Sequence, residues 1–182
     1  MTTIEAGDPR EGVSFTLERG EIVALYGPAA STVLESAAAG AGGIRIGTVW
    51  RDGGLFPGLT VGEVVDTWGR WTLDPITRRE ALALTGLTGR DRARFEALTA
   101  VERRRLDLAL ALLGRSDLLF LDEPTAGLAP SGRKEIWTLL HTLAAGGVTI
   151  LMATRDPMAL RHTDRRLSAG LPGRDDARLH AA

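Results

Sequence analysis

Residues 118–130 read LLFLDEPTAGLAP. Four apolar residues, 118–121, follow a turn at 114–117 and stop abruptly at Asp122, Glu123 and Pro124. So short and unbroken a run is the pattern of a strand covered on both faces. Carboxylates at its end fall on the C-terminal edge of a sheet, where α/β folds gather ligands. There, one carboxylate can hold Mg²⁺ through water and the other can orient an attacking water. A buried strand with an acidic turn explains a bare Asp-Glu pair more simply. The full LDEPTAGL string tips the balance the other way.

Outward from this strand, residues 21–26 (EIVALY) and 148–153 are two more buried-strand runs, and residues 13–17 and 44–50 are weaker strand candidates. Gly27 and Pro28 stop the first run, and an Ala-rich helix over 29–39 follows, closing at Gly40. Thr60 is placed to cap a helix to about residue 68, and residues 77–98 read as short helices broken at Gly86 and Gly89. A longer helix spans about 100–113. Ser131 is a candidate N-cap for a helix ending near Gly146, and a short helix covers 157–162. Strands alternating with helices predict an α/β fold with a mostly parallel sheet. The helix-rich stretch of about 60–113 reads as a small subdomain inserted into one domain over 1–169. The polar segment 170–182 is expected to be a disordered tail.

A chain of 182 residues corresponds to about one domain. Its 44% hydrophobic content and net charge of −1 exclude a mainly disordered chain and argue against a general nucleic-acid binder. Cysteine is absent, which rules out disulfides and thiolate metal sites and suits a reducing compartment. No apolar run reaches the roughly 18–20 residues of a membrane span. The opening MTTIEAGDPREG lacks the pattern of a signal peptide. A cytoplasmic location is therefore expected. The chain carries 21 arginines and one lysine, Lys134.

LLFLDEPTAGLAP resembles the Walker B motif and D-loop of the ATP-binding-cassette (ABC) ATPases, the nucleotide-binding subunits of ABC transporters. Four further matches run in the right order over roughly residues 11–169. GVSFTLERGEIVALYGP (12–28) resembles the strands entering the phosphate-binding loop, and LFPGLTVGEVV (55–65) the stretch after the Q-loop. LTAVERRRLDLALAL (98–112) occupies the signature position, and TILMATRD (149–156) the last strand and switch loop. The resemblance implies a P-loop NTPase-like sheet, ATP and Mg²⁺ as ligands, and an ABC-type dimer partner or a membrane permease as partner. It implies a place at the inner face of the membrane through that permease. By position it makes Asp122 the Mg-associated carboxylate and Glu123 the water-orienting base. Gly27, Ser31 and Thr32 fall in the phosphate loop, Arg51 at the Q-loop glutamine, Thr99 in the signature and Arg155 at the switch histidine.

Almost every motif departs from the family pattern. A loop of form G-x-x-x-x-G-K-[ST] wraps phosphates with backbone N–H groups, reaches them with its lysine and holds Mg²⁺ through its hydroxyl. From Gly27 this chain reads GPAAST, so the Ser/Thr pair arrives three residues early, without inner glycines or lysine. Ser31 and Thr32 are then expected to be N-caps with a weak preference for anions. At the signature, L-S-G-G-Q becomes LTAVE; Ala100 and Val101 add bulk where the family has glycine, and Glu102 adds charge. Thr99 and Glu102 are spaced as a capping box. The D-loop aspartate is replaced by Ala129. Arg51 and Arg155 are candidates to neutralise Asp122 and Glu123, since clustered carboxylates are costly uncompensated. The family's first strand and adenine-stacking aromatic are expected to be missing, and Tyr26 reads as core. His141, His162 and His180 have no metal-ligand spacing. The expected function is an ABC ATP-binding subunit whose ATP binding and hydrolysis are weak or lost, acting as a non-catalytic or regulatory partner. The alternative is a functional but atypical ATPase.

Overall fold

The computed structural model describes residues 3–6 and 15–170. Strands β1 (Thr3–Ala6) and β2 (Phe15–Glu18) form an antiparallel ribbon. Then come β3 (Ile22–Tyr26), helix α1 (Ala30–Gly40), β4 (Ile46–Val49), α2 (Val61–Trp71) and α3 (Arg78–Leu84). Helix α4 (Ala100–Leu112), β5 (Leu118–Asp122), α5 (Pro130–Ala145), β6 (Thr149–Ala153) and β7 (Arg165–Ser168) complete the order. Single 3₁₀ turns lie at Phe95–Ala97 and Ala159–His162.

Five strands form one parallel sheet in the order β4-β5-β6-β3-β7. Because side chains alternate across a strand, β5 splits its apolar run between two cores. Leu118 and Phe120 pack with Val23, Leu25 and Leu34 on the α1 side. Leu119 and Leu121 pack with Leu108, Ile136, Ile150 and Met152 under α4 and α5. Each fully buried side chain of this kind contributes about 1.5–3 kcal/mol. This double coverage is the reason β3, β5 and β6 read as apolar runs. It also places the ends of all three at the same edge of the sheet.

Helix α4 serves two cores. Leu108 and Leu112 face the sheet, whereas Leu106, Ala109, Leu110 and Leu113 join Val61, Val65, Leu82, Leu87 and Phe95 in a third cluster with α2 and α3. Three helices here start with the same device. Thr60, Thr77 and Thr99 each accept the N–H of a glutamate three residues on, and that glutamate's carboxylate accepts the threonine N–H.

The structure corrects several expectations. The N-cap of α5 is Ala129, with Pro130 at the first helical position, and not Ser131. Proline lacks the N–H that a first turn leaves unpaired and has its φ pre-set, so it starts the helix one residue early. A first strand is present: β1 pairs with β2 through Thr3↔Glu18 to Ala6↔Phe15. β7 was not apparent in the sequence, because RRLS offers only Leu167 to the core. Residues 171–182, read as a tail, lie outside the described residues. Among the described residues no helix is long and apolar enough to cross a membrane.

Candidate functional site

The shared edge of β3, β5 and β6 carries Gly27, Glu123 and Thr154 immediately beyond the last strand residues. The connection from β3 to α1 is only Gly27, Pro28 and Ala29. Gly27 adopts φ +109°, and a Cβ there would meet the Ala169 carbonyl oxygen at 2.6 Å. The Ala29 N–H donates to that same carbonyl at 3.4 Å, and the Ala30 N–H donates to the Gly27 carbonyl at 3.2 Å. Two amides that could have faced a ligand are thereby turned inward. The N–H groups of Ser31 and Thr32 have no protein acceptor among the described residues.

Ser31 and Thr32 are not the caps of α1. The N-cap is Ala29, which makes no side-chain cap. The helix starts early because Gly27 completes the reversal within three residues, leaving both hydroxyls inside its first turn. From there the Ser31 hydroxyl donates to Asp122 Oδ1 at 2.8 Å, joining α1 to β5. Thr32 is exposed.

Glu123 is 9% exposed and sits at φ +47°, a left-handed conformation that costs a non-glycine residue roughly 1 kcal/mol or more. Its surroundings hold it there. The Glu123 N–H donates to the Ala153 carbonyl at 2.9 Å. Its Oε1 accepts the Arg155 N–H at 2.7 Å, and its Oε2 accepts the Thr154 hydroxyl at 3.2 Å. Backbone and hydroxyl donors therefore satisfy this carboxylate without a cation.

Arg51 and Arg155 do not neutralise the carboxylate pair. Both are exposed, and neither forms an ion pair with Asp122 or Glu123 among the described residues. Arg155 contributes its backbone N–H only. Arg51 contributes its carbonyl, which accepts from Arg104 Nη2 at 2.9 Å while the Trp50 carbonyl accepts from Nη1 at 3.2 Å. Arg104 is 8% exposed and lies 3.7 Å from Asp107, whose Oδ1 accepts the Gly54 N–H at 3.1 Å. Burial pulls the Arg104 guanidinium below its ordinary value, against the opposing pull of Asp107, Asp122 and Asp52. Burial likewise pushes the Asp107 carboxyl up, opposed by the Gly54 N–H and by Arg104. This buried pair escaped the sequence reading. Its signal was there, since residues 104, 108 and 112 fall on one helical stripe, with Leu108 and Leu112 facing the sheet.

Thr99 is the N-cap of α4, and the Thr99–Glu102 capping box is formed. The Thr99 N–H is the main influence holding the Glu102 carboxyl below the usual range. Glu102 also pairs with Arg90 at 2.8 Å. Val101 packs on α5: a Cβ added to Gly132 would lie 2.5 Å from Val101 Cγ2. Arg133 ties the two loops beyond the sheet edge together. Its Nε donates to the Leu128 carbonyl at 3.0 Å, and its Nη1 donates to Asp156 Oδ2 at 2.9 Å.

These features define a class: a parallel α/β domain of P-loop NTPase type, with an Asp-Glu pair at the end of the strand next but one to the phosphate-loop strand. The ABC transporter family model matches residues 33–126. The Nod factor export ATP-binding protein I of Ralstonia nicotianae is 31% identical over 199 residues, covering 89% of this chain and 62% of that protein. The thiamine import ATP-binding protein ThiQ of Chelativorans is 33% identical over 175 residues, covering 81% of this chain and 71% of that protein. The chain belongs to the ABC transporter family, as an ATP-binding domain. A dimeric ATP-binding cassette solved in a post-hydrolysis state with ADP and Pi superposes with a TM-score of 0.71 at 20% identity, covering 91% of this chain and 89% of that one. That likeness is one of fold. The chain spans about half the length of several curated relatives, 62%, 36% and 54% of three of them.

Proposed function

We propose that this chain is an ABC-type ATP-binding subunit in which ATP binding and hydrolysis are weak or lost, and that it serves as a non-catalytic or regulatory partner of a transporter. One observation carries the proposal. Where a phosphate loop needs a run of outward-facing amides, this chain has a three-residue turn whose Ala29 N–H is committed to the Ala169 carbonyl. The family match itself begins at residue 33, beyond this turn. No lysine compensates, since Lys134 lies on α5.

The two halves of the site differ in how they fit Mg-ATP. The Ser31 hydroxyl and the Asp122 carboxylate, 2.8 Å apart, are a suitable oxygen pair for Mg²⁺ and its waters. The phosphate half does not fit, because preorganised donors and a cation are what phosphoryl transfer requires. At the signature position, Val101 is packed against Gly132 and presents bulk rather than backbone. The same proposal takes residues 1–169 as one domain, with about 60–113 as its helical subdomain. It places the chain on the cytoplasmic side, beside a second ABC subunit or a permease.

A functional but atypical ATPase is the second reading. It is favoured by the retained Ser31–Asp122 contact, the held Glu123 and the free N–H groups of Ser31 and Thr32. Isothermal titration of the purified chain with Mg-ATP separates the two. Millimolar or absent binding is expected. Micromolar binding that Asp122→Asn or Glu123→Gln abolishes would establish the ATPase instead.

A further inference from the structure

Three aromatic or imidazole rings meet where α5 packs beside the turn Ala159–His162. Trp137 is 4% exposed and belongs to the core under α5. His162, the last residue of the turn Ala159–His162, stacks on it with centroids 4.8 Å apart and planes 20° from parallel. His141 stands one helical turn beyond Trp137 on α5, its centroid 6.0 Å from the indole and 6.3 Å from His162. The two histidines are 21 positions apart in sequence, and only the fold brings them together.

Neither imidazole has a hydrogen bond or an ion pair among the described residues, and both side chains are exposed. Stacking on Trp137 accounts for the placement of His162. It leaves both imidazoles without a polar partner among the described residues. A metal ion is bound by imidazole nitrogen at about 2.0–2.1 Å. Two rings sharing one ion at a tetrahedral angle have centroids about 5–5.5 Å apart. The observed 6.3 Å is longer by about an ångström, and a side-chain rotation of exposed His141 closes the gap.

We propose that His141 and His162 form a two-histidine site for a divalent transition-metal ion of the Zn²⁺, Ni²⁺ or Cu²⁺ class, for which imidazole is a preferred ligand. Among the described residues no further histidine, aspartate or glutamate completes a three-ligand group, so water fills the remaining positions. The affinity is accordingly below that of a closed structural zinc site.

The ion would act as a tie. Asp156 opens the segment that His162 ends, accepting the Met158 N–H at 2.9 Å while paired with Arg133 of α5. One end of residues 156–162 is thus already fastened to α5, and the metal fastens the other. This segment follows Thr154 and Arg155 directly, the two residues that hold the Glu123 carboxylate. Metal binding is thereby coupled to the order of the loop at the sheet edge.

The test is titration of the untagged full chain with ZnCl₂ by calorimetry, and with NiCl₂ by tryptophan quenching. One saturable Zn²⁺ per chain is expected. His141→Ala and His162→Phe, the latter keeping the stack on Trp137, should each weaken binding by roughly tenfold or more, because a chelate becomes a single ligand. His180→Ala should leave binding unchanged. Zn²⁺ should raise the melting temperature and slow amide exchange over residues 158–162 in the unmodified chain, but not in His141→Ala. Absent saturable binding, an unchanged affinity in the double variant, or a loss that follows His180 instead would each overturn the proposal.

Discussion

Replacing Arg104 by methionine tests the view that a buried cation from α4 holds the loop at residues 50–54. The variant keeps the length of the side chain and removes its charge. Two donors vanish, those to the Trp50 and Arg51 carbonyls, and Asp107 loses the guanidinium beside it. Hydrogen bonds from a charged donor contribute about 1.5–3 kcal/mol, and breaking one half of a buried ion pair costs about 3–5 kcal/mol. The 3.7 Å separation from Asp107 is loose, and the Gly54 N–H still serves the carboxylate, so the lower end applies: about 3 kcal/mol near pH 8. Asp107 makes this cost depend on pH. Burial already raises its folded pKa above the unfolded value, and without Arg104 it rises further. The native state then binds more protons than the unfolded chain, so stability is retained below the unfolded pKa and lost as pH rises through the folded one. The penalty in Arg104→Met should therefore be smaller at pH 5 than at pH 8. Urea unfolding at both pH values and constant ionic strength measures it. Pairing the change with Asp107→Leu should restore part of the loss, since apolar replacement of a whole buried pair is often tolerated. A penalty under about 0.5 kcal/mol, or one that grows toward pH 5, would refute the clamp.

Gly47→Ala should be among the most damaging small substitutions, because the new Cβ would clash with the Ala111 carbonyl oxygen and lie 2.8 Å from Leu119 Cδ2. A loss of about 2–3 kcal/mol, read as a fall of about 5–10 °C in melting temperature, is expected. Thr99→Ala removes the cap of α4 and should cost about 1 kcal/mol in urea unfolding at neutral pH. Glu102 has its folded pKa held down, so that contribution is full above the ordinary carboxylate range and lost as pH falls below it, narrowing the difference in acid. Ser31→Ala frees Asp122 from the hydroxyl at 2.8 Å and should destabilise by about 1 kcal/mol, with no change in any ATPase signal above background in a phosphate-release assay.

Where the sequence spoke through burial on two faces it spoke clearly. EIVALY, LLFL and TILMA are runs that only a covered parallel strand explains, and they became β3, β5 and β6. β7 stayed hidden because Arg165, Arg166 and Ser168 reveal no core-facing pattern, and the strand owes its place to pairing with β3. The caps divided for a similar reason. Thr60 and Thr99 act within one turn and are local events, whereas the starts of α1 and α5 were decided by Gly27 folding back on Ala169 and by Pro130. Long-range pairing of charges was least accessible. Arg51 and Arg155 lie in loops next to the carboxylates in the motif order, yet the buried cation is Arg104, brought in on the sheet-facing stripe of α4.

Retention of Asp122 and Glu123 does not by itself speak for hydrolysis. A clustered pair of carboxylates is costly only while its oxygens go unanswered. Here Asp122 takes a hydroxyl hydrogen bond that joins α1 to β5, and Glu123 takes one amide and one hydroxyl that join β5 to the loop after β6. Exchanging Asp122 for an apolar residue would leave the part-buried Ser31 hydroxyl without this acceptor, and exchanging Glu123 would orphan the Thr154 hydroxyl and the Arg155 N–H. Glu123 in particular keeps a left-handed backbone, and the Arg155 and Thr154 contacts hold its carboxylate against the loop after β6. A chain that had lost its phosphate loop would still be constrained to keep both carboxylates, because at this edge the fold depends on them even where catalysis does not.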